Sequence, residues 1–394
     1  MTTTPPRPAA RLTELDWLRI IAFGLLILYH VGMYYVTWGW HVKSPQLLPE
    51  LETWMLWLNP WRLPLLFLIS GATLGIVLER AKPGQTLLER SSRLLLPLIF
   101  GMAVIVPPQA YYQAIEKYAY AGSFADFLGL YYRGYSGFCQ DGKCMGLPTW
   151  NHLWFVLYLW AYSALLIILS LLPKWNAPAV WRQLVGGTRL LWVPWLLLAI
   201  FRQHLWKAYP STHDFWGDWY NHALYGYMFL MGAVLFGSRT DRTGAWDAAV
   251  RLRWWALGIA VVAQLIMILI DYTPPEWALM IVRPISALRQ WLPIVAIFGF
   301  ARLHLAGVDN RLREFLSRGV FCFYILHQTL IVVLAVNLSR LHLPQPLEGA
   351  LLVLLTALGC LGGYALLRHV PGLAYVLGIF HGPAKRRAAT TSPT

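Results

Sequence analysis

The first apolar segment of the chain contains an arginine and a histidine, Arg19 and His30. An ionisable side chain within a bilayer costs on the order of 2.5–3.5 kcal/mol, so it is rarely present without a role. The two residues are eleven positions apart, which on a helix returns to within roughly 20° of the same face, about 16 Å further along the axis. A neutral imidazole is the usual general base near pH 7, and a guanidinium is a fixed cation for a phosphate or an oxyanion.

A purely structural explanation of this pair stays open. Arg19 lies near the helix end and could extend to lipid head groups, while His30 could bond to a neighbouring helix. The shared face favours a polar cavity inside a helix bundle instead. Asp16 lies near that face too, but about 21 Å of helix separates it from His30, so it is expected to pair with a nearby arginine.

Arg90 and Arg93 form an Arg-x-x-Arg pair at the start of the third apolar segment. Residues three apart share a helix face, so both guanidinium groups could bind one polyanion. The alternative is an ordinary basic anchor beside the membrane. Ser70 precedes Gly71, and this dipeptide favours a small-residue contact between helices over a nucleophilic serine, because no adjacent base is visible.

Two further histidines lie at apolar positions. His152 and Trp154 open the fourth apolar segment, where an interfacial aromatic belt and a substrate contact are both reasonable interpretations. Tyr324 and His327 lie deep in the ninth segment. A single histidine there is often satisfied by a bond between helices, but together with His30 it suggests a shared polar cavity.

Composition places these residues in a membrane. The 394 residues are 58% hydrophobic and only 13% charged, with a mean hydropathy of +0.50, whereas soluble domains carry about 25% charged residues. The formal charge of +14 could suggest nucleic acid, but the basic residues form no long run and lie mostly in short connections between apolar segments. The composition therefore predicts an all-α polytopic membrane protein that binds no nucleic acid.

A membrane-spanning helix needs about 20 mostly apolar residues, and this length criterion predicts a bundle of about ten helices. The sequence shows no internal repeat. The predicted division is a short cytoplasmic N-terminus (1–15) without a cleavable signal, a transmembrane domain (16–372) and a basic cytoplasmic tail (373–394). The ten predicted spans lie near residues 17–36, 54–78, 91–112, 152–172, 189–206, 220–238, 254–270, 282–300, 319–338 and 348–370.

The distribution of basic residues predicts the orientation. The connections after the even-numbered spans hold 15 Lys and Arg, against 6 after the odd-numbered ones, so the positive-inside rule places both termini in the cytoplasm. Arg7, Arg11 and the Lys385–Arg387 run agree with this placement. The segment 113–151 is then outside.

The cysteines are consistent with that orientation. Cys139 and Cys144 lie in the segment predicted to be outside, where an oxidising compartment would favour a local disulfide. Two cysteines without matching ligands make a weak zinc site, and no metal is expected. Cys322 and Cys360 lie in apolar segments and are interpreted as packing residues.

These motifs, taken in order, resemble the membrane-bound acyltransferase 3 family, and most closely its glucan biosynthesis protein C branch, which is associated with succinylation of periplasmic glucans. The resemblance covers nearly the whole chain. The motifs that carry it are Asp16-Trp17-Leu18-Arg19 followed by His30, Phe67-Leu68-Ile69-Ser70-Gly71, Arg90-x-x-Arg93, His152-Leu153-Trp154-Phe155 and Tyr324-Ile325-Leu326-His327.

The resemblance implies a membrane-bound O-acyltransferase in a bacterial inner membrane. It would move an acetyl or succinyl group from cytoplasmic acyl-CoA, a co-substrate, to a hydroxyl of a periplasmic or cell-surface glycan, with no bound cofactor and with membrane lipids around it. Arg19 and His30 match the family's essential pair, and Arg90 and Arg93 match its donor-handling pair. The remaining candidates have assigned roles as well: Ser70 in donor binding, and Asp16, His152, Trp154, Tyr324 and His327 in binding or supporting the substrate.

A mechanistic hypothesis follows. The pantetheine arm threads between the first and third helices and presents its thioester to His30, the base, while Arg19 or an adjacent donor stabilises the oxyanion. A covalent relay through Ser70 or His327 ranks lower. The alternative function is a transporter or flippase for a sugar or a lipid-linked substrate, because ionisable residues within membrane helices also mark transport pathways.

Overall fold

The computed structural model describes residues 12–140, 142–172, 178–270 and 275–379. About 75% of the described residues are helical and almost none of them lie in strands, which confirms the predicted all-α membrane bundle. The helices of the described residues are α1 (Thr13–Tyr35), α2 (Glu50–Leu78), α3 (Pro83–Phe100), α4 (Pro107–Tyr118), α5 (Phe124–Tyr132), α6 (Trp154–Leu169), α7 (Pro178–Val185), α8 (Arg189–His204), α9 (Trp219–Met231), α10 (Ala245–Leu269), α11 (Glu276–His304), α12 (Arg311–Ser339), α13 (Gln345–Leu367) and α14 (Pro371–Val376).

The helices reproduce most of the predicted spans. Among the described residues, seven helices are long and apolar enough to cross a membrane, and two bent pairs, α3 with α4 and α7 with α8, bring the total to nine. The predicted span 220–238 falls on α9 and the π-helical turn Gly232–Phe236 that follows it. That segment is not among the nine. Arg7, Arg11 and the Lys385–Arg387 run lie outside the described residues.

The bend between α3 and α4 brings polar side chains into the bundle. A π-helical turn, Gly101–Ile105, follows α3, and α4 begins at Pro107, with 46° between the two segments. Proline suits the first turn of a helix because its missing N–H has no intrahelical acceptor there. After the bend, Gln109 is fully buried against α12.

Small residues allow close contact between α2 and α9. A Cβ atom added at Gly71 would collide with the backbone carbonyl of Phe229, and one added at Gly232 would collide with that of Leu68. Membrane helices approach this closely only where side chains are absent, since packing replaces the hydrophobic effect as the force between them. The backbone contact in the Ser70-Gly71 dipeptide therefore belongs to Gly71.

The segment 113–151 is a small folded unit rather than an extended loop. It contains the end of α4, helix α5 and a two-stranded hairpin, β1 (Cys139–Gln140) with β2 (Lys143–Cys144). These elements enclose a separate apolar cluster that includes Phe127 and Phe138. Cys139 and Cys144 form a disulfide across the hairpin, and Cys322 and Cys360 are free and buried.

Candidate active site

One face of α1 carries the residues of the site. Arg19, Phe23, Leu26 and His30 follow one another at positions i, i+4, i+7 and i+11, the spacing of a single helix face. Arg19 and Phe23 line one cavity, His30 lines a second, and Leu26 lines both. The helical period therefore places the arginine and the histidine on one face of α1, each in a different cavity.

The two cavities meet inside the bundle. The Arg19 cavity has a volume of about 490 Å³ and the His30 cavity about 700 Å³, both within the usual range of small-molecule sites. Leu26, Leu66, Phe155 and Tyr324 line both. A single layer of side chains thus separates two sites of different chemical character.

His30 is paired with His327, 297 positions away in the chain. Nδ1 of His30 lies 2.9 Å from Nε2 of His327, and Nδ1 of His327 lies 2.6 Å from the backbone carbonyl of Tyr324. A carbonyl accepts only, so His327 must carry its proton on Nδ1 and accept on Nε2 when neutral. His30 therefore donates from Nδ1, which leaves the lone pair on its Nε2.

His152 lies beside this pair, but both of its ring nitrogens are occupied. Nε2 donates to the carbonyl of Ile325 over 3.1 Å, and Nδ1 faces the side-chain amide of Gln109 at 3.5 Å. Tyr324 donates its hydroxyl hydrogen to the backbone carbonyl of His152. Among the described residues, His30 is the one of these three histidines with a nitrogen lone pair that no hydrogen bond uses.

An amide network that the sequence prediction missed fixes this region. His41 donates from Nδ1 to Gln113 at 2.5 Å and accepts on Nε2 from Gln328 at 2.8 Å, and Gln328 also donates to Gln109 at 3.0 Å. Burial lowers the pKa of His41 to about 4, so the ring is neutral at pH 7. The feature of the sequence that could have predicted this network is the presence of Gln109 and Gln328 in otherwise apolar segments.

Arginines dominate the other cavity. Arg19 donates from Nη2 to the hydroxyl of Thr73 at 2.9 Å. Arg90 and Arg93 line the same cavity, and Arg90 is close enough for its charge to interact with those of Arg19 and Arg93. Arg318 also lines it. A cluster of guanidinium groups is the usual site for phosphates.

Ser70 lines the Arg19 cavity, on the opposite side of the shared side-chain layer from His30. The structure does not bring this serine and the free histidine nitrogen together in one cavity. A nucleophilic serine needs a base within hydrogen-bond reach. The arrangement therefore favours contact between Ser70 and the donor over a covalent relay through it.

Asp16 has a structural partner. It forms a buried ion pair with Arg313 of α12, which also bonds to Asp309 at 2.6 Å. Breaking such a buried pair leaves an uncompensated charge. Asp16 lines neither of the two cavities. Its ion pair with Arg313 holds the start of α1 against α12.

Aromatic side chains form a wall of the His30 cavity. Trp154 stacks on His213 with 4.2 Å between ring centroids, and Trp40 lies 6.4 Å from the ring of His30. Trp150 and Trp206 line the same cavity. Aromatic walls with a few convergent polar groups are typical of sites for organic ligands.

Arg62 also lines this cavity, although the sequence motifs predicted no role for it. Its guanidinium carbon is 3.4 Å from the centre of the Tyr29 ring, and only 6% of the residue is exposed. The signal was visible in the sequence as an arginine in an apolar segment two residues before Pro64.

One of the comparisons with known proteins found a match. A family profile described as an acyltransferase domain matches residues 12–366. No curated protein and no solved structure matches the chain. The matched range includes both cavities except for Gly378 at the edge of the Arg19 cavity.

Proposed function

The chain belongs to the membrane acyltransferase 3 family, and we propose that it transfers an acyl group from an acyl-CoA in the Arg19 cavity to a glycan hydroxyl in the His30 cavity. The observation that carries the proposal is the meeting of the two cavities at Leu26, Leu66, Phe155 and Tyr324. A thioester that reaches this layer from one side would lie beside an acceptor on the other.

The donor side suits coenzyme A. Arg19, Arg90 and Arg93 present a cluster of fixed cations to the phosphates of the nucleotide end. The pantetheine arm then extends past Phe23 towards the shared layer. In this proposal Arg19, which bonds to Thr73, holds the donor rather than the oxyanion near His30.

The acceptor side supplies the base. The acceptor hydroxyl gives its proton to Nε2 of His30 as its oxygen attacks the thioester carbonyl carbon. The C–S bond then breaks, and the thiolate leaves with the proton from His30, so no other reactant is needed. His327 positions His30 by accepting its Nδ1 proton, and Tyr324 holds His327 through its backbone carbonyl.

The distribution of basic residues along the chain supports one direction of transfer across the membrane. The excess of basic residues after the even-numbered predicted spans favours a cytoplasmic Arg19 cavity and an extracytoplasmic His30 cavity, in a bacterial inner membrane. This count takes the predicted span 220–238 as one that crosses the membrane. The Cys139–Cys144 disulfide agrees with an oxidising compartment on the His30 side. Acetyl and succinyl are the acyl groups proposed from the family resemblance, with a periplasmic or cell-surface glycan as acceptor.

The test is acyl transfer by the purified full-length protein in proteoliposomes. Acyl-CoA labelled in the acyl group is supplied on the side of the Arg19 cavity, and an oligosaccharide on the other. The proposal expects a labelled ester on the oligosaccharide, and its loss in His30→Ala. His222→Ala is the matched control, because His222 is a partly buried histidine that lines neither cavity.

Two outcomes would contradict the proposal. Full transfer by folded His30→Ala would remove His30 as the base. Movement of unmodified oligosaccharide across the bilayer without ester formation would indicate the transporter alternative instead.

A further inference from the structure

The His30 cavity has a strongly one-sided charge. Arg62, Arg202 and Arg289 line it, and no Asp or Glu in the described part of the chain does. A low-dielectric wall around cations raises the local positive potential and attracts anions. A neutral sugar hydroxyl would not need such a field.

Two of these arginines have donors that no described group accepts. Nε and Nη1 of Arg62, and Nε of Arg202, are buried without a hydrogen-bond partner. Buried donors of this kind are rare in folded proteins, and at the wall of a cavity their acceptor can come from a bound ion, ligand or water. Arg289 differs, because it donates to Gln264 at 2.6 Å and to the carbonyl of Leu56 at 3.2 Å.

The contact with Tyr29 does not satisfy Arg62. The guanidinium carbon of Arg62 lies over the ring of Tyr29, and the face of an aromatic ring provides no oxygen acceptor for the N–H groups. Tyr29 itself donates to Asn59 at 3.0 Å. The N–H edge of Arg62 therefore remains for an oxygen anion, and the charge of Arg62 already acts on His30 and His327.

We propose that the His30 cavity binds an anionic oxygen group, a carboxylate or a phosphate, through Arg62 and Arg202. This inference rests on the proposed function, because the anionic group would belong either to the acceptor glycan or to the acyl group that reaches His30. In both cases the same guanidinium pair fixes the distance between the anionic group and the reacting atoms. The enzyme would then select charged partners over neutral ones.

The experiment is equilibrium binding to the purified full-length protein in detergent, with neutral and charged members of two probe pairs. The acceptor pair is glucose against glucuronate, with glucose 6-phosphate as the phosphate probe. The acyl pair is methyl butyrate against the monoanion of methyl succinate. We expect the charged member of one pair to bind at least about tenfold more tightly, since two charge-assisted bonds form.

Arg62→Gln and Arg202→Gln should each reduce this preference at least about tenfold. Arg283→Gln is the matched control: Arg283 lies on α11 like Arg289, donates to the carbonyl of Gln203 and lines neither cavity. The control should keep the wild-type preference. If one variant does not fold, the other variant still tests the proposal. The preference of the wild type for the charged probe should also weaken as the salt concentration rises.

The outcomes are distinct. A preference confined to the acceptor pair assigns the anionic group to the glycan, and one confined to the acyl pair assigns it to the donor. Equal affinity for charged and neutral members in both pairs overturns the inference, as does a preference that survives both variants. Because binding is measured without turnover, a protein that binds the anion but transfers no acyl group would refute the proposed function alone.

Discussion

Nδ1 of His30 donates to Nε2 of His327 over 2.9 Å, and the carbonyl of Tyr324 fixes the proton of His327. This chain of bonds selects one tautomer of His30. The selection matters because a general base needs its lone pair on the nitrogen that faces the substrate. In the proposed mechanism His327 is a positioning residue, and His30 is the catalytic residue.

The role of His327 predicts a graded response to substitution. His327→Leu removes the acceptor for His30, and kcat should fall about 10- to 100-fold because the ring loses its orientation. His327→Gln offers an amide oxygen near the position of Nε2, so it should recover most of that loss. Steady-state transfer assays check this, and equal activity of the leucine variant and wild type would contradict the positioning role.

The arginine cluster predicts a donor-specific effect. Arg90→Gln should raise KM for acyl-CoA about tenfold or more, because one phosphate-binding cation is lost. KM for the acceptor should change little. The control donor is the acyl-pantetheine thioester, which lacks the nucleotide phosphates. It should bind the wild type and Arg90→Gln equally. A similar defect with both donors would place Arg90 outside donor binding.

The shared side-chain layer predicts that a bulky residue can block transfer. Leu66→Trp adds a ring between the two cavities and should lower kcat at least about tenfold, while binding of acyl-CoA persists. Overpacking carries a stability cost of about 1–3 kcal/mol, so the folded fraction must be measured. Leu58→Trp is the control on the same helix, because Leu58 lines neither cavity. Wild-type turnover in folded Leu66→Trp would refute a path through this layer.

The disulfide predicts the labelling pattern of intact cells. A membrane-impermeant maleimide should label the protein only after treatment with an impermeant reductant, because Cys139 and Cys144 are joined while Cys322 and Cys360 are buried. The expected stoichiometry is two labels per chain. Cys139→Ser with Cys144→Ser should abolish labelling. Labelling that requires permeabilised cells would reverse the proposed orientation.

The buried ring of His41 predicts a loss of stability in acid. Its pKa in the folded protein is about 4, below the ordinary value of about 6.5, so between these values the unfolded chain takes up a proton that the folded one does not. The folded state therefore loses stability as the pH falls through this window, by about 2–3 kcal/mol at pH 4.5.

His41→Gln should remove this share of the acid sensitivity. The measurement is Tm in detergent between pH 7 and pH 4.5 for wild type, for His41→Gln and for His369→Gln, an exposed histidine. A wild-type acid response in His41→Gln would show that other groups account for it.

The sequence predicted much of the architecture because a lipid environment restricts which backbone structures are stable. Backbone groups in hydrocarbon must bond within their own segment, so long apolar runs form helices. The period of 3.6 residues then placed Arg19 and His30 on one face of α1 without reference to any other helix. The span 220–238 was less clear, since Gly and Tyr dilute its apolar character, and its structure divides into α9 and a π-helical turn.

Only the tertiary structure decided the partners of these residues. Asp16 pairs with Arg313, 297 positions away, and His30 with His327, also 297 positions away. Local periodicity contains no information about which helices pack together, because that depends on the shapes of whole helix faces. The sequence by itself thus determined that Arg19 and His30 share one face of α1. Helix packing decided that the two lie in adjoining cavities, and that in the described part of the chain only His30 of the three clustered histidines has a lone pair that no hydrogen bond uses.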